Sequence, residues 1–163
     1  ARIKHILLLS DGKTPDEYPY LIGRHKCPKP RLSLGRRLAL SGAVTSMIDV
    51  SDGLLLDLER ITVQQGVGAR LHLSQIPLSR EDSEHIAGYA EDFFETALSG
   101  GEDYELLFTS PPARRDEVQE ISRALDIDIT EIGEVVSEPA LTVLDPGGDE
   151  IDINRRGFIH FGN

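Results

Sequence analysis

The stretch from Ile48 to Leu58, with the sequence IDVSDGLLLDL, constrains the fold most because its hydrophobic pattern changes period within a few residues. The preceding run, Val44 to Val50, is rich in β-branched residues and predicts a strand. Beyond it, apolar residues at spacings of one, four and seven predict one buried face of a helix: Leu54, Leu55, Leu58 and Ile61. Gly53 lies between the two patterns and eases a sharp turn. The chain must therefore pass abruptly from strand to helix here.

Polar side chains are concentrated at this turn. Asp49 and Asp52 supply two carboxylates, and Ser51 supplies a hydroxyl. The N–H groups at the start of a helix lack partners within the helix, so they would point outward beside these side chains. That combination suits Mg²⁺ together with phosphate oxygens. The same residues also fit a simpler structure, in which Ser51 or Asp52 caps the helix and Asp49 is solvated. The local sequence leaves both interpretations open.

A second polar turn follows a helical, acidic pattern that extends from Leu78 to Leu98. Gly100 and Gly101 end that helix and allow a close approach of the backbone to another group. Glu102 and Asp103 come next, at the start of a strand predicted over residues 104–109, whose side chains alternate between two faces. An ordinary connection with exposed acids would show the same pattern. The alternative is that the carboxylates of Glu102 and Asp103 belong to a binding site.

Other patterns predict the remaining elements. A helix over Ser33–Ser41, with Ser33 as N-cap and Gly42 after its end, follows a loop-like region over residues 11–30. A strand over residues 69–73 after the central helix suggests a βαβ crossover. Arg31, Arg36 and Arg37 could reach phosphate or form a solvated basic face. The sequence further predicts a short helix within residues 1–10, a helix from Pro111-Pro112, a strand or strand pair over 127–136, and a hairpin joining 141–144 to 151–153.

Composition excludes several classes of function. The net charge of −11 disfavours a nucleic-acid partner, because a phosphate backbone is repelled by an acidic surface. Apolar runs are far shorter than the 18 residues of a membrane span, and we expect no membrane partner. A signal-peptide pattern is absent from the start of the sequence. The single Cys27 cannot form an internal disulfide, which fits a reducing cytoplasm.

Four segments, in order along nearly the whole chain, resemble the C-terminal domain of the thiamine-monophosphate kinase family. They are HKCPKPR at residues 25–31 followed by Gly35, DVSDGL at 49–54 followed by Asp57-Leu58, GGEDYELLFT at 100–109, and GFIHF at 157–161. The superfamily also contains aminoimidazole ribonucleotide synthetase, selenophosphate synthetase and HypE. The resemblance implies an α+β fold, with helices packed on a mixed β-sheet of about five to seven strands, like the C-terminal domain of aminoimidazole ribonucleotide synthetase.

The resemblance also implies how the chain is organised. Residues 1–163 would form a single C-terminal domain, with residues 1–30 partly a linker from an absent N-terminal ATP-binding domain. The reaction implied is ATP plus thiamine monophosphate giving thiamine diphosphate and ADP, by direct in-line phosphoryl transfer assisted by several Mg²⁺ ions. We expect the isolated chain to be inactive. A homodimer is a possible assembly, and we expect a cytoplasmic location.

Individual roles follow from the resemblance and the chemistry together. We expect Asp49 and Asp52 to bind metal and Ser51 to contact the nucleotide. Glu102, assisted by Asp103, would bind the cationic thiazolium or the aminopyrimidine of the substrate, and Phe158 would stack on its heterocycle. No covalent nucleophile is expected. Two rivals remain: a related superfamily enzyme of the hydrogenase-maturation or purine-synthesis type, and a non-catalytic binding or assembly module.

Overall fold

A computed structural model describes residues 19–79 and 97–153 of the chain. Four α-helices and six β-strands occur in these ranges, together with two short 3₁₀ turns. In chain order they are α1 Pro19–Lys26, α2 Leu32–Ser41, β1 Ser46–Val50, α3 Leu54–Gln65, β2 Gly68–His72, a 3₁₀ turn Leu73–Gln75, β3 Glu105–Thr109, a 3₁₀ turn Pro112–Arg114, α4 Arg115–Leu125, β4 Gly133–Val136, β5 Leu141–Leu144 and β6 Glu150–Ile151. The predictions for residues 1–10, for most of the helix over 78–98, and for Phe158 lie outside the described residues.

The described strands form two separate sheets. β1 and β3 pair antiparallel in a two-stranded sheet, with Ser46 opposite Thr109 and Val50 opposite Glu105. The second sheet has the order β4-β2-β5-β6. In it, β2 and β5 are parallel, whereas the β2–β4 and β5–β6 pairs are antiparallel. The α+β class and the mixed sheet are therefore confirmed, but six described strands are divided between two sheets.

The predicted βαβ crossover is wrong. β1 and β2 flank α3 in the sequence, as expected, yet they belong to different sheets. The helix α3 contacts both strands, so it connects the two sheets. The sequence pattern fixed the order of strand, helix and strand. It could not show that β1 pairs with β3, more than fifty residues away, because hydrogen-bond partners leave no mark on local periodicity.

The sheet of β1 and β3 separates two hydrophobic clusters. On one side, Val50 and Leu107 pack with the buried face of α3 and with strands of the larger sheet. On the other side, Leu106 and Phe108 pack against Leu34 and Leu38 of α2 and against the buried residues of α4. The alternation predicted for residues 104–109 is thus confirmed, since successive residues of β3 enter different clusters.

Two predicted boundaries differ from the structure. Residues 19–26 form a helix where a loop was expected, because Pro19 occupies the first helical position, where a proline is tolerated, and Ile22 is buried. Ser33 is not the N-cap of α2, whose capping position is Arg31 and carries no side-chain cap. The end of α2 is confirmed, since Gly42 adopts a left-handed conformation with φ 68°.

The hairpin over residues 141–153 is also confirmed. β5 and β6 pair antiparallel through a turn in which Asp145 Oδ1 accepts a hydrogen bond from Asp149 N–H. Every helix within residues 19–79 and 97–153 is too short or too polar to cross a membrane.

Shortening Leu38 should destabilise the chain strongly. Its side chain is completely buried between α2 and α4, so Leu38→Ala would leave a cavity and cost about 2–5 kcal/mol of the free energy of unfolding. Leu40→Ala is the matched control in the same helix, because Leu40 is 73% exposed. Urea denaturation measures both. Equal losses for the two variants would contradict the described packing of α2.

Candidate functional site

The turn between β1 and α3 is organised by the carboxylate of Asp57. Its Oδ2 atom accepts hydrogen bonds from the backbone N–H groups of Ser51 at 3.0 Å, Asp52 at 3.0 Å and Gly53 at 3.3 Å. The side chain of Asp57 is fully buried. Gly53 occupies the N-cap position of α3, and no side chain caps the helix from there. The prediction of Ser51 or Asp52 as N-cap is therefore wrong, because Gly53 occupies that position and the helix begins at Leu54.

The hydrogen bonds to Asp57 limit which N–H groups of the turn can reach a phosphate. Those of Ser51, Asp52 and Gly53 donate to Asp57, and of these only Gly53, the N-cap, belongs to the start of α3. A buried carboxylate holding several N–H donors satisfies polar groups that would otherwise be costly to bury. Any contact between Ser51 and a nucleotide must therefore use its half-buried hydroxyl.

Arg60 joins Asp57 to Asp52. Its Nη1 atom lies 2.5 Å from Asp57 Oδ1 and 2.6 Å from Asp52 Oδ2. The pKa of Arg60 is raised, chiefly by the hydrogen bond with Asp52; burial opposes this rise, and the attraction of Asp52 and then of Asp57 adds to it. The Arg60 side chain is 44% exposed and that of Asp52 only 14%. One guanidinium thus bridges a buried carboxylate and a partly accessible one.

The two polar turns predicted from the sequence are adjacent in space. The N–H of Glu102 donates to the carbonyl of Ser51 at 2.8 Å, and the N–H of Tyr104 donates to the carbonyl of Val50 at 2.9 Å. These bonds follow the last pair of the β1–β3 sheet, Val50 opposite Glu105, but depart from its register. The segment 49–52 and the segment 100–104 therefore form one continuous surface around the turn.

Glycines allow this close approach. A Cβ atom at Gly101 would lie 2.4 Å from the carbonyl oxygen of Ser51, and one at Gly53 would lie 2.7 Å from that of Ser99. Gly53 also has a φ of 129°, which other residues rarely adopt. Gly53 and Gly101 are thus required by the contact between the two turns.

The backbone that carries Glu102 is in a sparsely populated conformation. Glu102 and Tyr104 have φ values of 68° and 50°, and neither is a glycine. Such conformations persist only where the surroundings hold them in place, and they are frequent at binding sites. The hydrogen bonds to Val50 and Ser51 hold this segment on one side.

Two arginines hold the following residue, Glu105. Arg31 donates to it twice, from Nε to Oε2 at 2.7 Å and from Nη2 to Oε1 at 2.9 Å, and Arg24 donates to Oε1 as well. The hydrogen bond that Arg31 donates to Glu105 is the main reason that the pKa of Arg31 is raised. Arg31, one of the arginines considered for phosphate, is thus engaged with Glu105, whereas Arg36 and Arg37 are exposed on α2.

The acidic residues at this surface fit a magnesium ion that is bound partly by substrate. Asp49 is exposed near the end of β1, and Asp52 is half-buried in the turn. No cluster of three or more histidine, cysteine, aspartate or glutamate side chains suited to a metal occurs among residues 19–79 and 97–153. Mg²⁺ commonly takes one or two protein carboxylates and completes its shell with water and phosphate oxygens. Asp49 and Asp52 suit that mode and do not form a closed protein cage.

The structure thus brings five of the six predicted site residues onto two adjoining segments: Asp49, Ser51, Asp52, Glu102 and Asp103. Phe158 lies outside the described part of the chain. Sequence reasoning did not identify Asp57 and Arg60 as parts of the site. The available signal was an acid in the first turn of a helix with an arginine three residues later, a spacing that places the two on one helix face.

Comparison with known proteins gives consistent likenesses. The family described as "AIR synthase related protein, C-terminal domain" matches residues 7–145. The thiamine-monophosphate kinase of Escherichia coli O157:H7 is 35% identical over 161 residues, which are 99% of this chain and 47% of that protein. The crystal structure of thiamine-monophosphate kinase from Stenotrophomonas maltophilia K279a superposes with a TM-score of 0.76 at 32% identity, over 85% of this chain and 45% of that one.

A further solved structure carries ligands. It is described as AaThiL complexed with AMPPCP and TMP, and it superposes with a TM-score of 0.72 at 29% identity, over 96% of this chain and 46% of that one. The chain spans about half the length of the curated relatives it matches.

Replacing Asp57 by asparagine should unfold the turn. Asp57→Asn removes the charge that three backbone N–H groups and Arg60 share, so we expect a loss of about 2–3 kcal/mol in the free energy of unfolding. Thermal or urea denaturation measures it. The control Asp116→Asn changes an exposed acid in the first turn of α4 and should cost at most about 1 kcal/mol. A similar small loss for Asp57→Asn would contradict its organising role.

Adding a methyl group at Gly101 should separate the two turns. Gly101→Ala would place its Cβ against the backbone carbonyl of Ser51, which cannot move as freely as a side chain, and we expect a cost of about 1–3 kcal/mol. Gly23→Ala is the matched control, because a Cβ there meets nothing within 4 Å and alanine favours the helix α1. Denaturation should show a loss for the first variant and none for the second; a stable Gly101→Ala chain would refute the close contact.

Proposed function

This chain belongs to the family of AIR synthase related protein C-terminal domains, and from that premise we propose that it is the C-terminal part of a thiamine-monophosphate kinase. The reaction is transfer of the γ-phosphoryl group of ATP to thiamine monophosphate, giving thiamine diphosphate and ADP. The observation that carries the proposal is the junction of the two motifs. The Asp-bearing turn and the Gly-Gly acid segment are joined by the hydrogen bonds from Glu102 to Ser51 and from Tyr104 to Val50.

The comparisons support the choice of substrate class. The 35% identity with a thiamine-monophosphate kinase extends over nearly all of this chain. A structural relative of the same fold is described as a complex with AMPPCP and TMP, an ATP analogue and a second phosphate compound. A kinase of this kind needs a nucleotide site beside an acceptor site. In this chain the segment 49–52 offers groups for the nucleotide and its metal, and the segment 100–104 offers groups for the acceptor.

Each residue contributes a distinct interaction in the proposed reaction. Asp49 and Asp52 hold magnesium, and the Ser51 hydroxyl contacts the nucleotide. When bound, magnesium neutralises the charge of the phosphates so that two anions can approach. Glu102 and Asp103 attract the cationic thiazolium or bind the aminopyrimidine of thiamine monophosphate, and Phe158 stacks on its heterocycle. Phosphoryl transfer requires positioning and charge neutralisation more than covalent chemistry, so none of these residues serves as a nucleophile.

The proposal includes a partner domain. An N-terminal ATP-binding domain would complete the nucleotide site, and a homodimer is compatible with that arrangement. The chain's match to about half of its relatives' length supports this division. We place the reaction in the cytoplasm, where ATP is available.

The same match favours one alternative, a module that contributes half of a composite site and has no activity of its own. Calorimetry on this chain separates the two cases by testing whether the chain binds the ligands. A heat signal when Mg²⁺ with AMPPCP, and then thiamine monophosphate, are titrated into the chain supports ligand sites within it. Binding of an aminoimidazole or carboxamide compound in preference to thiamine monophosphate would instead favour another enzyme of the superfamily.

Removing one proposed metal ligand should lower turnover strongly. In the product of the complete reading frame that encodes this chain, Asp52→Asn should lower kcat for thiamine diphosphate formation by about 100-fold or more, because even residues outside the metal's own ligands typically contribute 10–100-fold. Asp49→Asn should act in the same direction.

Asp149→Asn, in the exposed turn between β5 and β6, is the control and should leave turnover unchanged. Near-normal turnover of Asp52→Asn at saturating Mg²⁺ would refute the metal assignment, and absence of thiamine diphosphate from the unaltered protein would refute the kinase.

A further inference from the structure

Arg60 is a positive charge placed at the carboxylate that the proposed function gives to magnesium. A single nitrogen, Nη1, lies 2.6 Å from Asp52 Oδ2 and 2.5 Å from Asp57 Oδ1. A carboxylate oxygen in contact with a guanidinium cannot bind a divalent cation at the same place without repulsion between the two positive charges. Metal binding at Asp52 therefore requires the guanidinium to move.

Asp57 keeps Arg60 close to Asp52. The Asp57 side chain is fully buried, and its other oxygen accepts three backbone hydrogen bonds. Asp57 is therefore fixed by the turn itself and cannot follow a departing partner. Arg60 lies three residues later on the same face of α3, a spacing at which side chains of a helix meet. A guanidinium that leaves Asp52 thus remains tethered at Asp57.

The three side chains differ in solvent accessibility, and the difference suits an exchange of Arg60 for a metal ion at Asp52. Asp57 is inaccessible, Asp52 is 14% exposed and Arg60 is 44% exposed. The exposed partner can swing away while the buried one stays in place, because arginine has a long and flexible stem.

We propose that Arg60 is an internal counter-cation that occupies the Asp52 carboxylate until a divalent ion takes its place, and that Asp57 is the positioning residue that holds Arg60 there. This inference rests on the proposed function, in which Asp52 binds magnesium. The exchange sets the metal affinity of the turn, since each bound ion must displace one guanidinium. In the absence of metal, Arg60 also offsets one of the two negative charges of Asp52 and Asp57.

Two variants of equal charge test the proposal on the full chain. Arg60→Met removes the guanidinium and keeps an unbranched stem like the aliphatic part of arginine. Arg70→Met is the matched control, because Arg70 is 42% exposed and pairs with Glu134 on the larger sheet. Both variants remove one positive charge, so a general increase in attraction for cations affects them alike. Thermal denaturation checks that each variant is folded, and Arg60→Lys tests rescue by a residue that retains the charge.

The measurement is a titration of the ¹⁵N-labelled chain with Mg²⁺ at constant ionic strength, monitored by nuclear magnetic resonance. The backbone signals of residues 51–53 report binding at the turn, and the Nε–Hε signal of Arg60 reports its displacement. We expect Arg60→Met to bind Mg²⁺ about tenfold more tightly than the unaltered chain, and Arg70→Met to change the affinity by less than about twofold. Arg60→Lys should return the affinity toward that of the unaltered chain.

Several outcomes overturn the inference. Equal Mg²⁺ affinities of Arg60→Met and Arg70→Met would do so, as would saturation of the turn without a change in the Arg60 signal. In either case, loss of binding in Asp52→Asn would leave the kinase proposal intact. Absence of any Mg²⁺ response in both the unaltered chain and Arg60→Met would overturn the inference together with the metal role of Asp52. Tighter binding by Arg60→Met supports the role of Arg60 even if the assay for thiamine diphosphate fails, so the two proposals can be separated.

Discussion

The buried carboxylate of Asp57 holds the turn from which the candidate site is built. A chain that leaves a strand and enters a helix within three residues exposes several N–H groups that neither element can satisfy. Asp57 accepts three of them with one oxygen, and its other oxygen binds Arg60. The direction in which Asp52 projects therefore depends on a residue that has no direct contact with any proposed ligand.

The two sheets and the two hydrophobic clusters place this turn at an edge where other groups can reach it. The sheet of β1 and β3 is covered by α3 on one side and by α2 and α4 on the other. The hydrogen bonds of Glu102 and Tyr104 then join the second polar turn to the end of this sheet. Burial of apolar residues fixes the strands, and the strands fix the relative position of two sets of carboxylates. The proposed chemistry thus depends on packing between elements that lie some fifty residues apart.

Much of the fold was predictable because its signals are local. The helical spacing after Gly53 predicted α3, and the alternation after Tyr104 predicted β3 and its two faces. The identity of the family was also recoverable from four short segments, which the later comparisons support. The helix over residues 19–26 was missed because Pro19 and Gly23 outweighed Ile22, whose burial the sequence does not show. The prediction of a βαβ crossover was wrong because the pairing of a strand depends on residues that are distant from it in the sequence.

The sequence by itself determined which residues carry charge at the two turns, and where the chain must bend, because glycine and hydrophobic spacing act within a few residues. Only the tertiary structure decided what those charges face. It directed three N–H groups to Asp57 in place of solvent, paired Arg60 with Asp52, and set Glu102 beside Ser51. The physical reason is that hydrogen bonds and ion pairs depend on distances of about 3 Å between side chains and backbone, and such distances are fixed only when the elements have packed.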